Sequence, residues 1–325
     1  MKALLIGSLL LKCATAFTSS PNFVTTTIPL RTATSALSMA IVPPSSSSTV
    51  GVVGAGFMSV LTAKLAALSG YQTWMIFPDG EEDNVKGLIG DKIPSNLELV
   101  PASDDGKWEA RLSNTDAVVV AVDADVPMKE NSLEYLLNPT IAPNLKRVVA
   151  MSRNLNGKGM GFLVKASKMS ANMEVWDGSA SAEFKKFEQV LKKQAEACGA
   201  DYTIARAGTL KGGACGESEY NQYLSPKYYD MTKKDIVTWQ LLFDCKTRGV
   251  TLAKGDVMPG AGGKAVFTAT SDAASPGDTG RCGLAEAMVR SLSLESAANV
   301  DFGIGTAESR TPPSDTEWEK LFSVL

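Results

Sequence analysis

Between Thr49 and Phe77 the hydrophobic pattern changes character twice, and no other stretch constrains the fold as much. Val50-Gly51-Val52-Val53 is an apolar β-branched run of the length of a short buried strand. Past the turn Gly54-Ala55-Gly56-Phe57-Met58-Ser59, the residues Val60, Leu61, Lys64, Leu65 and Leu68 recur at helical spacing, with alanines between them, until Ser69-Gly70 stops the pattern. Gln72–Phe77 then reads as a second strand. Strand, glycine-rich turn, helix and strand in this order open a fold that holds dinucleotides at the first turn. On this reading Gly54 permits the tight turn and Gly56 lets a pyrophosphate approach the backbone. The helix N-terminus adds unpaired N–H groups and the positive end of its dipole. Gly54, Ala55, Gly56, Phe57 and Met58 are therefore the expected phosphate-contacting residues.

The rhythm continues downstream. Asp79–Lys92 is polar and glycine-punctuated, a loop or short helix. Leu97–Pro101, Ala117–Val122, Arg147–Met151 and Tyr202–Ala207 read as further strands, and Asp104–Asn114, Ser132–Leu137 and Phe184–Cys198 as the helices between them. The near-continuous apolar run Ala117–Val122 is what a central parallel strand covered on both faces requires. Six β-then-α units predict an α/β fold, a doubly wound parallel sheet, over residues 49–213. Asn154–Ser181, rich in Gly, Ser, Met and Lys, reads as an elaborated loop over the carboxyl ends of the strands. Residues 214–325 are expected to form a smaller α+β portion that closes the cleft. Within it, helices are expected at Lys233–Cys245 and Leu284–Leu294, and strands at Gly249–Val257, Lys264–Thr270 and Val300–Ile304. Ser314-Asp315-Thr316-Glu317 is a capping-box signature for a last helix carrying Trp318, Leu321 and Phe322.

Composition closes off several chemistries. The chain has no histidine, which removes Ser-His-Asp triads, Cys-His pairs and every His-ligated metal site, and no metal is expected. Its five cysteines show no C-x-x-C spacing and read as reduced thiols. A net charge of −3 argues against a nucleic-acid partner, and no later apolar run approaches the length of a transmembrane span.

The N-terminus has a different composition. Lys2, an apolar core over Ala3–Leu11 and Ala14-Thr15-Ala16 read as a signal peptide with a small-x-small cleavage site before Phe17. Phe17–Ala40 is rich in Ser and Thr and contains Arg31, and the first acid of the chain is Asp79. A signal peptide joined to such a stretch resembles the bipartite plastid presequence of algae with secondary plastids, such as diatoms. The expected location is the plastid stroma after removal of residues 1–40, with ordinary secretion as the alternative. Residues 41–48, with Pro43-Pro44 and four serines, then form a flexible lead-in.

Several local wordings carry a family likeness. Leu97-Glu98-Leu99-Val100 with Asp104-Asp105, Asn114-Thr115-Asp116-Ala117-Val118-Val119, Lys146-Arg147-Val148-Val149-Ala150-Met151-Ser152 and Gly199-Ala200-Asp201-Tyr202-Thr203-Ile204-Ala205-Arg206-Ala207-Gly208 stand in order along the chain. Together they resemble the atypical short-chain dehydrogenase/reductases, the NmrA-like NAD(P)-binding proteins common in plastids. The last resembles the pattern S-G-x-x-Y-T-I-x-R-x-G and is the most specific. The resemblance implies a Rossmann fold of the extended or atypical type and NAD(P)(H) as cofactor. Ala121 and Ser152, at the ends of the fourth and fifth strands, would be further cofactor contacts.

Three departures qualify what the resemblance implies. The opening turn is G-x-G-x-x-S, with Ser59 in place of a third glycine. Pro78-Asp79 stands where the family often has an Arg for the 2′-phosphate of NADP, so Asp79 is a candidate acceptor for a ribose hydroxyl, or a surface acid. The catalytic Tyr-x-x-x-Lys is missing from its helix, which reads Phe184-Lys185-Lys186-Phe187. Tyr223–Lys227 and Tyr229–Lys233 fit the pattern but follow the sixth strand and read as chance matches. Ser152 and Lys185 are the catalytic candidates that remain, with Lys165, Lys168 and Lys186 as further lysines. The expected function is an NAD(P)-dependent oxidoreductase acting on a small molecule. The alternative is a non-catalytic dinucleotide-binding factor that docks on a plastid protein complex, with the methionines of Met160–Met173 as adaptable contacts. Cys215, in the glycine-rich Gly212–Gly216, is a remote candidate for a redox thiol.

Overall fold

Ala117–Val122 has no polar face to turn to water, and the structure covers it on both sides: all six residues are buried. In this computed structural model the residues described are 44–45, 47–123, 126–154, 178–215, 220, 222–228, 247–259 and 278–325. The strands are β1 (Thr49–Ala55), β2 (Gln72–Phe77), β3 (Leu97–Pro101), β4 (Ala117–Val122), β5 (Arg147–Arg153), β6 (Asp201–Ala207), β7 (Thr209–Lys211), β8 (Gly249–Lys254), β9 (Asp278–Gly280) and β10 (Val300–Ala307). The helices are α1 (Phe57–Leu68), α2 (Glu82–Ile89), α3 (Asp105–Leu112), α4 (Glu130–Leu136), α5 (Gly178–Cys198), α6 (Arg281–Arg290) and α7 (Asp315–Ser323).

Eight strands form one sheet in the order β3-β2-β1-β4-β5-β6-β10-β8. The first six are parallel, β10 runs parallel to β6, and β8 closes the edge antiparallel to β10. This is the expected doubly wound α/β sheet. The expected C-terminal strand at Val300–Ile304 proves longer, and it and β8 extend that same sheet. β7 and β9 pair separately.

Strand alternation sorts the core into two layers. From β4, Ala117, Val119 and Ala121 face one layer and Val118, Val120 and Val122 the other. From β2, Met75 and Phe77 join the first layer and Trp74 and Ile76 the second. The first layer is completed by α1, α2, α6 and α7, through Leu61, Leu65, Leu88, Met288, Trp318 and Phe322. The second is completed by α3, α4 and α5, through Trp108, Leu112, Leu133, Phe187 and Leu191.

Helix ends follow local chemistry. Ser314 accepts from the Glu317 N–H while the Glu317 carboxylate accepts from the Ser314 N–H, so the capping box at the start of α7 is formed, a feature worth about 1 kcal/mol. Asp104 caps α3 by accepting from the Lys107 N–H. β8 stops at Lys254, earlier than the expected Val257, because Gly255 turns the chain at φ 74° and donates its N–H to the Asp301 carbonyl. α6 begins at Arg281, ahead of the expected Leu284, and ends at Arg290. The expected presequence over residues 1–40, helix Lys233–Cys245 and strand Lys264–Thr270 lie outside the described residues. Among the described residues no helix is long and apolar enough to cross a membrane.

Candidate functional site

Strand order reverses between β1 and β4: β1 leads to β2 and β3 on one side, β4 to β5 and β6 on the other. A reversal of this kind opens a crevice at the carboxyl ends of the two strands, where open α/β sheets place their ligands. By that rule the ligand position lies at the Gly54–Gly56 turn and the end of β4.

The tight turn expected at Gly54 lies at Gly56. Gly54 lies opposite Ala121 in the ladder, and a Cβ on Gly54 would stand 1.8 Å from the Ala121 carbonyl oxygen. Its lack of a side chain lets β1 approach β4; it does not make the turn. The turn is at Gly56, with φ 83° and ψ −166°, a conformation essentially restricted to glycine. Gly56 is exposed and leads directly into α1, which has neither a side-chain cap nor an acid in its first turn. Among the described residues the N–H groups that open α1 have no side-chain cap, and such groups are ready donors to an anion. Ser59 is buried and donates its hydroxyl to the Gly56 carbonyl at 2.9 Å, so the residue in place of the third glycine braces the turn from within.

Ala55 ends β1 opposite Val122. The Met58 side chain is fully buried in the core, so only its backbone faces the turn. Phe57 meets Tyr228 edge to face at a centroid distance of 4.6 Å, and Tyr228 in turn packs under Gly213. Asp79 stands just beyond β2, half-buried, with Oδ1 accepting from the Ser103 N–H at 3.0 Å. That bond ties the loop after β2 to the loop after β3.

Ser152 has a side-chain partner that the sequence did not point to. Its hydroxyl is fully buried at the end of β5 and donates to Glu188 Oε1 at 2.7 Å. Glu188, on the buried face of α5, accepts a bidentate pair from Arg206 (Nε at 2.9 Å, Nη2 at 2.8 Å). Arg206 Nη1 donates to Asp301 on β10 at 2.6 Å, and Asp301 also accepts from Lys192 Nζ at 2.8 Å. Burial pulls the Arg206 guanidinium down, but its two carboxylates outweigh that and raise it. Burial alone would raise the Asp301 carboxyl, yet the hydrogen bonds from Lys192 and Arg206 hold it below its ordinary value. The five residues form one charged network that joins β5, α5, β6 and β10.

Lys185 is exposed on α5 and is not brought to Ser152; Lys186 is exposed too and pairs with Glu130 at 2.5 Å. Lys165, Lys168, the Met160–Met173 segment and the Tyr229–Lys233 pair lie outside the described residues. In the other chance pair, Lys227 Nζ donates to the Asp83 carbonyl at 3.1 Å, while Tyr223 is raised by burial and by nearby Glu286. Cys215 is buried, its backbone bridged to Gln222. Cys198 donates to the Leu137 carbonyl, and burial pushes its thiol up to about 11. Among the described residues no three His, Cys, Asp or Glu side chains gather as metal ligands.

Sequence reasoning missed two charged pieces of this region. Glu188 looked like one polar residue of an amphipathic helix. Asp123, at the end of β4, accepts from Arg281 Nε at 3.0 Å, across 158 positions of sequence. The only local signal was an acid directly after an apolar strand.

No protein-family model and no curated protein matches this chain. Solved structures do. A short-chain dehydrogenase/reductase from Veillonella parvula DSM 2008, in an ethylated form, aligns with a TM-score of 0.52 at 14% identity, covering 83% of this chain and 99% of its own. An epimerase candidate from Bacteroides thetaiotaomicron aligns with a TM-score of 0.50 at 12% identity, covering 81% of this chain and 99% of its own. A second Veillonella parvula structure, a short-chain dehydrogenase/reductase in complex with NADP, aligns with a TM-score of 0.49 at 14% identity, covering 82% and 99%. The first two likenesses show the fold alone, a mostly parallel, helix-flanked α/β sheet of the Rossmann type.

Proposed function

We propose that the chain binds an NAD(P) dinucleotide in the crevice between β1 and β4, with the diphosphate at the Gly56 turn, and acts as an oxidoreductase on a small molecule. One observation carries the binding. Gly56 holds a glycine-only conformation at the point where strand order reverses, exposed, and feeding a helix whose first turn has no cap of its own. A turn too close to Asp123 to admit a Cβ, leading into an uncapped α1, fits a diphosphate held by backbone N–H groups. The N–H groups of Phe57 and Met58 would hold it, and Asp79 lies on the side where the ribose of the adenosine half would fall. The bound nicotinamide would supply hydride chemistry.

The test is a titration of protein lacking residues 1–48 with NADH and NADPH, followed by tryptophan fluorescence. Saturable binding of at least one dinucleotide is expected; if neither binds, the proposal fails.

A second reading, a non-catalytic dinucleotide-binding factor docked on a plastid partner, is favoured by Ser152. Its hydroxyl is spent on Glu188, and α5 carries no tyrosine to work beside it. Turnover of NAD(P)H with any member of a carbonyl and alkene panel decides for the oxidoreductase. Tight binding without turnover, together with a stoichiometric partner recovered from plastid membranes, decides for the factor.

We further propose that residues 1–40 direct the chain to the plastid. A fluorescent protein fused after residue 48 is expected to coincide with chlorophyll in a diatom cell. Its accumulation in the medium would make the chain a secreted one.

A further inference from the structure

Directly after β7 the chain turns through two left-handed residues, Gly212 at φ 75° and Ala214 at φ 54°. Ala214 is fully buried and carries a methyl group that this conformation penalises. Strain of that kind persists only where the surroundings hold it, and it gathers at binding sites. Here the holding contacts lead to the Gly56 turn from two sides.

On one side the Gly212 carbonyl accepts from Arg281 Nη1 at 2.9 Å, and Arg281 Nε donates to Asp123 Oδ2 at 3.0 Å. The Asp123 Cβ lies 2.9 Å from where a Cβ on Gly56 would stand. On the other side Gly213 has no room for a Cβ, which would stand 2.2 Å from Tyr228 Cε1. The buried Tyr228 ring meets Phe57 edge to face, and its hydroxyl donates to the same Gly212 carbonyl at 3.4 Å. These contacts close a ring that starts at Gly56 and ends at Phe57, the next residue. The segment that carries Tyr228 is itself tied down. The Leu224 N–H donates to the Ala214 carbonyl, and the Ser225 N–H to the Leu88 carbonyl of α2, both at 2.8 Å.

The Phe57 N–H stands in the first turn of α1, where no carbonyl of the helix itself can accept from it. Gly56 before it is conformationally permissive and has no side chain to hold the turn. Beyond the Ser59 brace, what fixes the direction of that donor is the packing of the Phe57 ring.

We propose that Tyr228 is a positioning residue for the dinucleotide: its ring wedges between Gly213 and Phe57 and keeps the Phe57 N–H aimed at the diphosphate. This rests on the dinucleotide site proposed above. It makes the phosphate site depend on a side chain of the C-terminal portion that acts only through its contact with Phe57.

The full-length chain, its Tyr228→Leu, Tyr228→Phe and Phe57→Leu variants and the double leucine variant would be titrated with NADH, NADPH and ADP-ribose, the last presenting the diphosphate without the nicotinamide ring. Thermal melts accompany the titrations, which are made below each melting transition. Tyr228→Leu is expected to weaken every ligand that wild type binds by about fivefold, the worth of an aromatic edge contact. Tyr228→Phe keeps the ring, drops the hydroxyl and is expected to restore wild-type binding. A side chain that served folding alone would leave the affinity of the folded molecules unchanged in both. Phe57→Leu is expected to match Tyr228→Leu, and the double variant to bind no more weakly than either, because the two rings act as one unit. If Tyr228→Leu does not fold, Phe57→Leu, at a half-buried position, decides. Wild-type affinity in either leucine variant, Tyr228→Phe as weak as Tyr228→Leu, or additive losses in the double variant overturns the assignment. Wild type that binds none of the three probes overturns the dinucleotide site itself, and this inference with it.

Discussion

Truncating Glu188 to alanine is expected to cost about 3–5 kcal/mol of folding stability, the penalty for leaving a buried charge without its partner. Arg206 would lose both bonds of its bidentate pair, and the Ser152 hydroxyl would lose its acceptor in a site with no access to water. Arg206 would keep Asp301, which tempers the loss but leaves Nε and Nη2 unpaired. The network is a product of the fold, and it does not by itself make the protein stable: taking two charges out of water costs nearly what their attraction returns. The double variant Glu188→Leu with Arg206→Met is accordingly expected to be markedly more stable than Glu188→Ala alone. Chemical denaturation of wild type and the two variants measures both quantities. A Glu188→Ala loss below about 1 kcal/mol would mean that the pair is screened as a surface pair is, and that the packing of α5 against β5 and β6 does not depend on it.

Acid should find the same network. Asp301 is held below its ordinary value in the fold by Lys192 and Arg206, against the opposing effect of burial. A carboxyl lowered by folding contributes stability that is complete above its unfolded value, about 3.9, and is lost as pH falls through the folded value. Stability is expected to drop below about pH 4 for this reason, and less steeply in Asp301→Asn.

What could be read ahead of the structure was whatever is written locally. β2 and β4 were legible to the residue, because an apolar run bounded by turn residues needs no knowledge of its neighbours. The α7 capping box was legible because its two partners are three positions apart. The place of β10 beside β6 was not, since a strand's pattern says that it is a strand and is silent on which edge it joins. The same limit hid the charged partners. Glu188 and Arg206 are on different elements, and Asp123 meets Arg281 only because α6 returns to the crevice. Ser152 is the instructive case. Its position at the end of β5 was read correctly, but the use of its hydroxyl is set by which residue of α5 faces it, and that is Glu188, not Lys185. The opening turn shows how a motif can be legible as a turn and misread in detail. G-x-G marked the passage from β1 to α1, but only the register of β1 on β4 reveals which glycine bends and which one makes room.

That division of labour makes opposite predictions for two alanine substitutions two positions apart. At Gly54 a methyl group would need to occupy space 1.8 Å from the Ala121 carbonyl oxygen, which is backbone and cannot turn away as a side chain would. Either β1 or β4 must shift, and these are two interior strands of the sheet, paired over six consecutive residues. Gly54→Ala is therefore expected to cost more than the ordinary 1–3 kcal/mol of an overpacked core, enough to lower the melting temperature by roughly 10 °C or to prevent folding altogether. At Gly56 the strain is conformational, about 1–3 kcal/mol for a non-glycine residue in this region of φ and ψ, and the nearest obstacle is the Asp123 Cβ at 2.9 Å. The chain there is exposed and outside the sheet, so Gly56→Ala is expected to fold with a modest loss. Its new methyl group would stand in the crevice beside the N–H groups of α1, and dinucleotide binding should fall by about a hundredfold, since relaxing the strain would also turn those donors away. Thermal melts and dinucleotide titrations on the same two preparations separate the cases. A Gly54→Ala protein as stable as wild type would show that β1 and β4 are further apart than the structure places them, and a Gly56→Ala protein that binds dinucleotide like wild type would remove Gly56 from the phosphate site.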